Sequence, residues 1–100
     1  MGGLDAGLIQ SLVQVFGNSP NIERVILFGS RAKGNYRRGS DIDLAIISNG
    51  ASLDLGTLAS DIDALNTPYL FDLLDYQQLN NPALLEHIHT YGQILFQRVE

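Results

Sequence analysis

The segment from Glu23 to Ile47 constrains this chain more than any other. A short β-branched and aromatic run, Glu23 to Phe28, stops at Gly29-Ser30, which reads as a buried strand entering a tight turn. After ten residues, Arg31 to Ser40, a second run opens with Asp41-Ile42-Asp43 and alternates to Ile47. Successive side chains of a strand point to opposite sides, so Asp41, Asp43, Ala45 and Ile47 share one face while Ile42, Leu44 and Ile46 share the other. The fold must bury the second face and hold two carboxylates side by side on the first. Their mutual repulsion is costly unless a cation sits between them.

The chemistry around this pair is coherent. Glycine directly after a strand lets the backbone turn sharply, and the amides that follow can face an anion with no Cβ in the way. Ser30 adds a hydroxyl donor at the same place. Aspartate oxygens suit Mg²⁺, a hard cation that keeps waters and shares its shell with substrate phosphates. Phosphoryl or nucleotidyl transfer with two metals calls for a further carboxylate. Asp72 is the first candidate, placed between Leu70 and Leu74 on an otherwise apolar strand face where an unpaired aspartate is costly to bury. Asp75, at the strand end and nearer solvent, is the second.

The remaining elements supply a frame for that site. Leu4, Leu8, Leu12 and Val15 recur at helical spacing, predicting a helix over 5–16 that Gly17-Asn18 ends. Leu53, Leu55, Leu58, Ile62 and Leu65 mark a second helix reaching residue 65, before Asn66-Thr67-Pro68. A third strand is expected over 69–76. Asn81 as N-cap and Pro82 as first helical residue open a last helix with Leu84, Leu85 and Ile88, closed by Gly92. Ile94 to Gln97 adds a short strand. This order places the chain in the α+β or mixed α/β class, with a central sheet flanked by helices.

Composition sets the boundaries. A chain of 100 residues with 45% apolar and 17% charged side chains is a globular composition, read as a single domain over 1–100. The longest uninterrupted apolar stretches, Val25 to Phe28 and Leu44 to Ile47, are four residues each, against about 20 for a membrane span. Met1 to Asp5 lacks the basic region of a signal peptide. With no cysteine, disulfides and thiol nucleophiles are excluded, and a cytoplasmic location is expected. Arg31, Lys33, Arg37 and Arg38 give +4 within eight residues, leaving two basic against eleven acidic residues, a net −9, elsewhere. So acidic a remainder repels nucleic acid broadly, while a small anion remains acceptable near the basic stretch.

Competing readings of individual residues are weaker. Asp61-Ile62-Asp63 repeats the Asp-x-Asp pattern, but on a helix positions two apart diverge by roughly 200°, so a solvated face is expected. The same argument applies to His87 and His89 as zinc ligands, which also lack further matching partners. An EF-hand loop starting at Asp41 needs glycine where Ile46 stands. A phosphate-binding loop of the Gly-Lys-Ser/Thr type fails because Asn35 follows Gly34. Tyr36, Tyr69, Phe71, Tyr76 and Tyr91 are read as core, rim or loop aromatics.

The combined pattern resembles the nucleotidyltransferase superfamily of the DNA polymerase β type, with its Gly-Ser pair, Asp-x-Asp after about ten residues and third aspartate on a later strand. More narrowly, Leu27-Phe28-Gly29-Ser30-Arg31-Ala32-Lys33-Gly34 followed by Gly39-Ser40-Asp41-Ile42-Asp43-Leu44-Ala45-Ile46 is similar to the minimal nucleotidyltransferases. The likeness continues through Phe71-Asp72-Leu73-Leu74-Asp75 and covers residues 22–98. It implies that Gly29 and Ser30 hold the β and γ phosphates of a nucleoside triphosphate. Asp41 and Asp43 would bridge two Mg²⁺ ions, and Asp72 would ligate the ion that activates the acceptor hydroxyl. Arg31 and Lys33 would add phosphate contacts, with Arg37 and Arg38 equally suited to a partner.

Many minimal nucleotidyltransferases act as antitoxins beside a helical HEPN-domain protein. The resemblance therefore implies ATP as donor, AMP as the transferred group and a tyrosine hydroxyl of the HEPN partner as acceptor, in a homo- or hetero-oligomer. A chain this short has nothing spare for gripping an acceptor, which is why a partner is expected. The alternative is a binding module that occludes a HEPN partner without catalysis. Keeping three mutually repelling acids favours catalysis, because occlusion does not need them.

Overall fold

A computed structural model of the chain describes residues 1–99. Its elements run in the order α1 (Ala6–Gly17), β1 (Ile22–Phe28), α2 (Gly29–Lys33), β2 (Ile42–Ser48), α3 (Leu55–Asp63), β3 (Phe71–Asp75), a 3-10 turn (Tyr76–Gln78), α4 (Pro82–Tyr91) and β4 (Gln93–Gln97). The family-type α+β architecture expected from the sequence is present: one four-stranded mixed sheet in the order β3-β2-β1-β4. β1 lies antiparallel to both β2 and β4, while β2 and β3 are parallel. Parallel neighbours need a crossover connection, and α3 provides it.

Local chemistry accounts for the helix starts. The Asp5 carboxylate accepts the Leu8 amide at 2.7 Å, and Asn81 accepts the amides of Ala83 and Leu84 at 3.1 and 3.2 Å ahead of Pro82. Each cap satisfies donors that the first turn leaves unpaired. Asp54 does the same for α3 by accepting from Thr57.

The alternation along β2 divides the core. Ile42, Leu44 and Ile46 are buried with Leu12, Phe16, Leu58 and Ile62, so α1 and α3 cover one face of the sheet. Phe28, Ala45 and Ile88 are buried together on the other face, beneath α4. On β4 the pairing slips opposite Val25 and Ile26, and this irregularity lets the consecutive Leu95 and Phe96 both turn inward. Burial of these aliphatic and aromatic side chains contributes about 1.5–3 kcal/mol each relative to exposure.

The third strand is shorter than expected, 71–75 rather than 69–76: Tyr69 lies in a bend with its ring centre 4.9 Å from the Arg31 guanidinium, and Tyr76 opens the 3-10 turn. The expected basic loop also begins with an unforeseen helical turn, α2. Gly34 ends it in the left-handed conformation (φ +95°), its amide donating to the Ser30 carbonyl at 2.9 Å. Asp61 and Asp63 are exposed on α3, on the face opposite the Asp41 pair. Among the described residues no helix is long and apolar enough to cross a membrane.

Candidate active site

The β1–β2 pairing sets Phe28 opposite Asp43, so the chain emerging from β1 passes directly over the Asp43 carboxylate. Gly29 makes that passage feasible. Its φ is +75°, and a Cβ there would collide with the Asp43 Oδ2 atom and lie 3.0 Å from Cγ. Only glycine accepts both the left-handed conformation and the close approach. Ser30, half-buried at the start of α2, follows immediately.

Parallel pairing then brings the third acid. Asp72 is in register with Asp43, on strands about 4.8 Å apart, and residues in register point to the same face. Asp41 lies just before β2 on that side and is exposed. Burial pushes the Asp43 carboxyl above its ordinary range, and the negative charges of Asp72 and Asp41 push it further the same way. Asp43 thus lies within electrostatic reach of both other acids.

The reason given above for choosing Asp72 is corrected by the structure, although the residue itself lies beside Asp43. Asp72 is exposed, not buried in an apolar face, and Leu70 on the same side is 72% exposed. Asp75 is the more buried of the two acids. It points to the opposite side of the strand, where its carboxylate accepts the Gln77 amide at 3.2 Å, and it takes no part in the site.

Arg31, which the resemblance implied as a phosphate contact, is turned toward backbone carbonyls in this structure. It is 3% exposed, and its guanidinium donates to the Ser40 carbonyl from Nε and Nη2 at 3.0 and 2.9 Å and to the Gly2 carbonyl from Nη1 at 2.8 Å. Three of its five N–H groups are thus committed to backbone carbonyls. Lys33 stays exposed, its ammonium 5.4 Å from the centre of the Tyr91 ring, and Arg37 and Arg38 are exposed on the loop before Asp41.

His87, weighed from the sequence only as a zinc ligand, is the residue that reading did not place at this site. Its Nε2 accepts the Gly29 amide at 2.8 Å, so that nitrogen carries no proton and the Gly29 N–H is already satisfied. Its ring packs edge-on against Phe28 and beside Tyr91. The available signal was helical spacing: Leu84, His87, Ile88 and Tyr91 fall on one side of α4. His89, by contrast, is exposed and meets the Tyr76 hydroxyl at 2.7 Å.

The donor set suits a hard cation. Asp41, Asp43 and Asp72 are oxygen donors of the kind Mg²⁺ takes alongside water and substrate phosphates, and among the described residues no three His, Cys, Asp or Glu side chains are grouped so as to hold a metal ion by themselves. The cavities of about 280 Å³ beside Pro20 and Leu58 and about 380 Å³ beside Ser48 and Asp75 open elsewhere and contain none of these residues. The acids lie on the α4 side of the sheet.

Aspartates from two neighbouring strands beside a glycine turn, on one face of a mixed sheet, suit the transfer of phosphoryl or nucleotidyl groups. The family model described as polymerase beta, nucleotidyltransferase matches residues 10–100, and the chain belongs to that family. No curated protein matches the sequence. Among solved structures, a chain of a toxin–antitoxin complex with AMP-PNP is 24% identical with a TM-score of 0.70, the match covering 90% of this chain and 73% of that one. A chain of an MntA–HpeT toxin–antitoxin complex bearing two Asp-to-Glu substitutions is 26% identical, with a TM-score of 0.67 and coverage of 95% and 75%. A third, from the complex of a tri-AMPylated Shewanella oneidensis HEPN toxin with its MNT antitoxin, is 21% identical with a TM-score of 0.65 over 91% and 71% of the two chains.

Proposed function

We propose that this chain is an Mg²⁺-dependent adenylyltransferase that moves AMP from ATP to a tyrosine hydroxyl of a HEPN-type toxin, acting as the antitoxin of the pair. The observation that carries the reading is the register of Asp43 with Asp72 beneath the Gly29 turn. The similar chains found in toxin–antitoxin complexes, one with an ATP analogue and one with an AMPylated HEPN toxin, support the choice of donor and partner.

The residues divide the work by position. Because His87 occupies the Gly29 amide, Gly29 serves as the turn that clears room over Asp43, and the Ser30 hydroxyl and amide seat the β and γ phosphates. Lys33, exposed one turn further along α2, screens phosphate charge. Asp41, Asp43 and Asp72 hold the metal, with two ions expected. When bound, Mg²⁺ supplies charge neutralisation at the phosphates and lowers the pKa of the acceptor hydroxyl. The hydroxyl oxygen forms a bond to the α-phosphorus, the bond to the bridging oxygen breaks, pyrophosphate leaves with its electron pair, and the hydroxyl proton passes to solvent. A cytoplasmic setting fits a chain without cysteine.

Incubating the protein with labelled ATP, Mg²⁺ and its HEPN partner tests the reading. AMP should appear on the partner with wild type and not with Asp43→Asn. Undiminished neutralisation by Asp43→Asn, with no label incorporated by either protein, would establish the occluding module instead.

A further inference from the structure

The geometry points to Arg31 as the positioning residue of the carboxylate site, a role that rests on the nucleotidyltransferase reading and replaces contact with the nucleotide. A guanidinium withdrawn from water costs several kcal/mol in real proteins after relaxation, so one that is 3% exposed needs compensation. Here its hydrogen-bond partners are backbone carbonyls. Two N–H groups grip the Ser40 carbonyl, which belongs to the peptide unit that begins Asp41. The third donates to the Gly2 carbonyl. The Tyr36 and Tyr69 ring centres lie 5.1 and 4.9 Å from Cζ, within the range of cation–π attraction.

Each contact reaches a different part of the site. Arg31 follows Ser30 in α2, Ser40 leads into Asp41, and Tyr69 leads through Leu70 into the strand bearing Asp72. The Leu70 carbonyl also accepts the Ile42 amide at 2.9 Å, joining the last two segments one residue beyond the Ser40–Asp41 peptide and Tyr69. One planar cation therefore sets the spacing between the phosphate turn and two of the acids. Gly2 and Gly3 close the arrangement from the N-terminal side: a Cβ at Gly2 would lie 3.2 Å from the Arg31 Cβ, and one at Gly3 2.7 Å from two Tyr36 ring carbons. A lysine retains the charge but cannot hold one carbonyl with two N–H groups in a fixed plane.

Arg31→Lys and Tyr69→Leu test this in the full chain. Expected in both is a fall of about 10–100-fold in affinity for Mn²⁺ alone, measured by calorimetry without nucleotide, as for other residues that orient metal ligands. Hydrogen-exchange protection at the Ile42 amide should drop while the rest of β2 keeps its own. The KM for ATP should move less than about threefold while kcat falls, since phosphate binding is left alone. A tenfold or greater rise in KM with unchanged Mn²⁺ affinity makes Arg31 a phosphate contact and overturns the inference. So does wild-type Mn²⁺ affinity together with wild-type Ile42 protection. If Arg31→Lys does not fold, Tyr69→Leu decides by the same measurements. Absence of AMP transfer by the wild type counts against the functional reading, while metal affinity and exchange still decide the role of Arg31.

Discussion

Replacing Gly29 with alanine separates two demands on one position. The left-handed conformation, φ +75°, costs an L-residue about 1–2 kcal/mol. The added methyl also collides with the Asp43 carboxylate, and forcing a side chain aside in this way costs about 1–3 kcal/mol more. Gly34→Ala is the internal control: φ is +95° there, and nothing stands within 4 Å of the new methyl. The second substitution carries the conformational cost alone. For a domain of this size each kcal/mol lowers the melting temperature by about 4–8 °C, so Gly29→Ala should melt at least about 4 °C below Gly34→Ala. Activity should diverge further, because a carboxylate displaced by about 1 Å can cost about 100-fold. Thermal unfolding and AMP transfer at saturating ATP and Mg²⁺ read the two effects. Equal melting temperatures and equal transfer for the two variants would refute the claim that Gly29 is needed for its approach to Asp43.

Asp43→Asn should stabilise the metal-free protein while abolishing transfer. A carboxyl raised in the folded state imposes no penalty below its ordinary value of 3.8; the penalty grows with rising pH and is complete above the folded value. Urea titrations should therefore show the variant's advantage at pH 7 shrinking as the pH falls toward 4, and an advantage independent of pH would contradict the assigned electrostatics. His87→Ala leaves the half-buried Gly29 amide without its partner, for a loss of about 1–3 kcal/mol in chemical denaturation; full stability in that variant would mean the bond is dispensable. Asn81→Ala removes the acceptor for two amides of α4 and should cost about 0.5–2 kcal/mol without changing the KM for ATP.

Much of the frame was legible because its signals are local. The cap at Asn81, the proline at position 82, the spacing of Leu4, Leu8, Leu12 and Val15 and the alternation of 42–47 state their structural consequences within a few residues, and α1, α4 and β2 fall where these signals put them, whereas α3 ends at Asp63, short of residue 65. The helical turn α2 was not legible, since the five residues Gly29-Ser30-Arg31-Ala32-Lys33 are too short a run to show periodicity. Nor was the bend at Tyr69 ahead of β3, whose ring meets an arginine 38 positions earlier in the chain.

The site divides along the same line. Order along the chain alone determined that a glycine turn precedes a carboxylate pair on one strand face, because side-chain alternation and the demands of positive φ are properties of consecutive residues. Which third acid joins them, which nitrogen takes the Gly29 amide and whether Arg31 faces a phosphate or a backbone carbonyl were decided only in three dimensions. Strand register, helix placement and burial couple residues 29 to 58 positions apart, and the distances that govern Coulomb and hydrogen-bond energies exist only once those segments have packed.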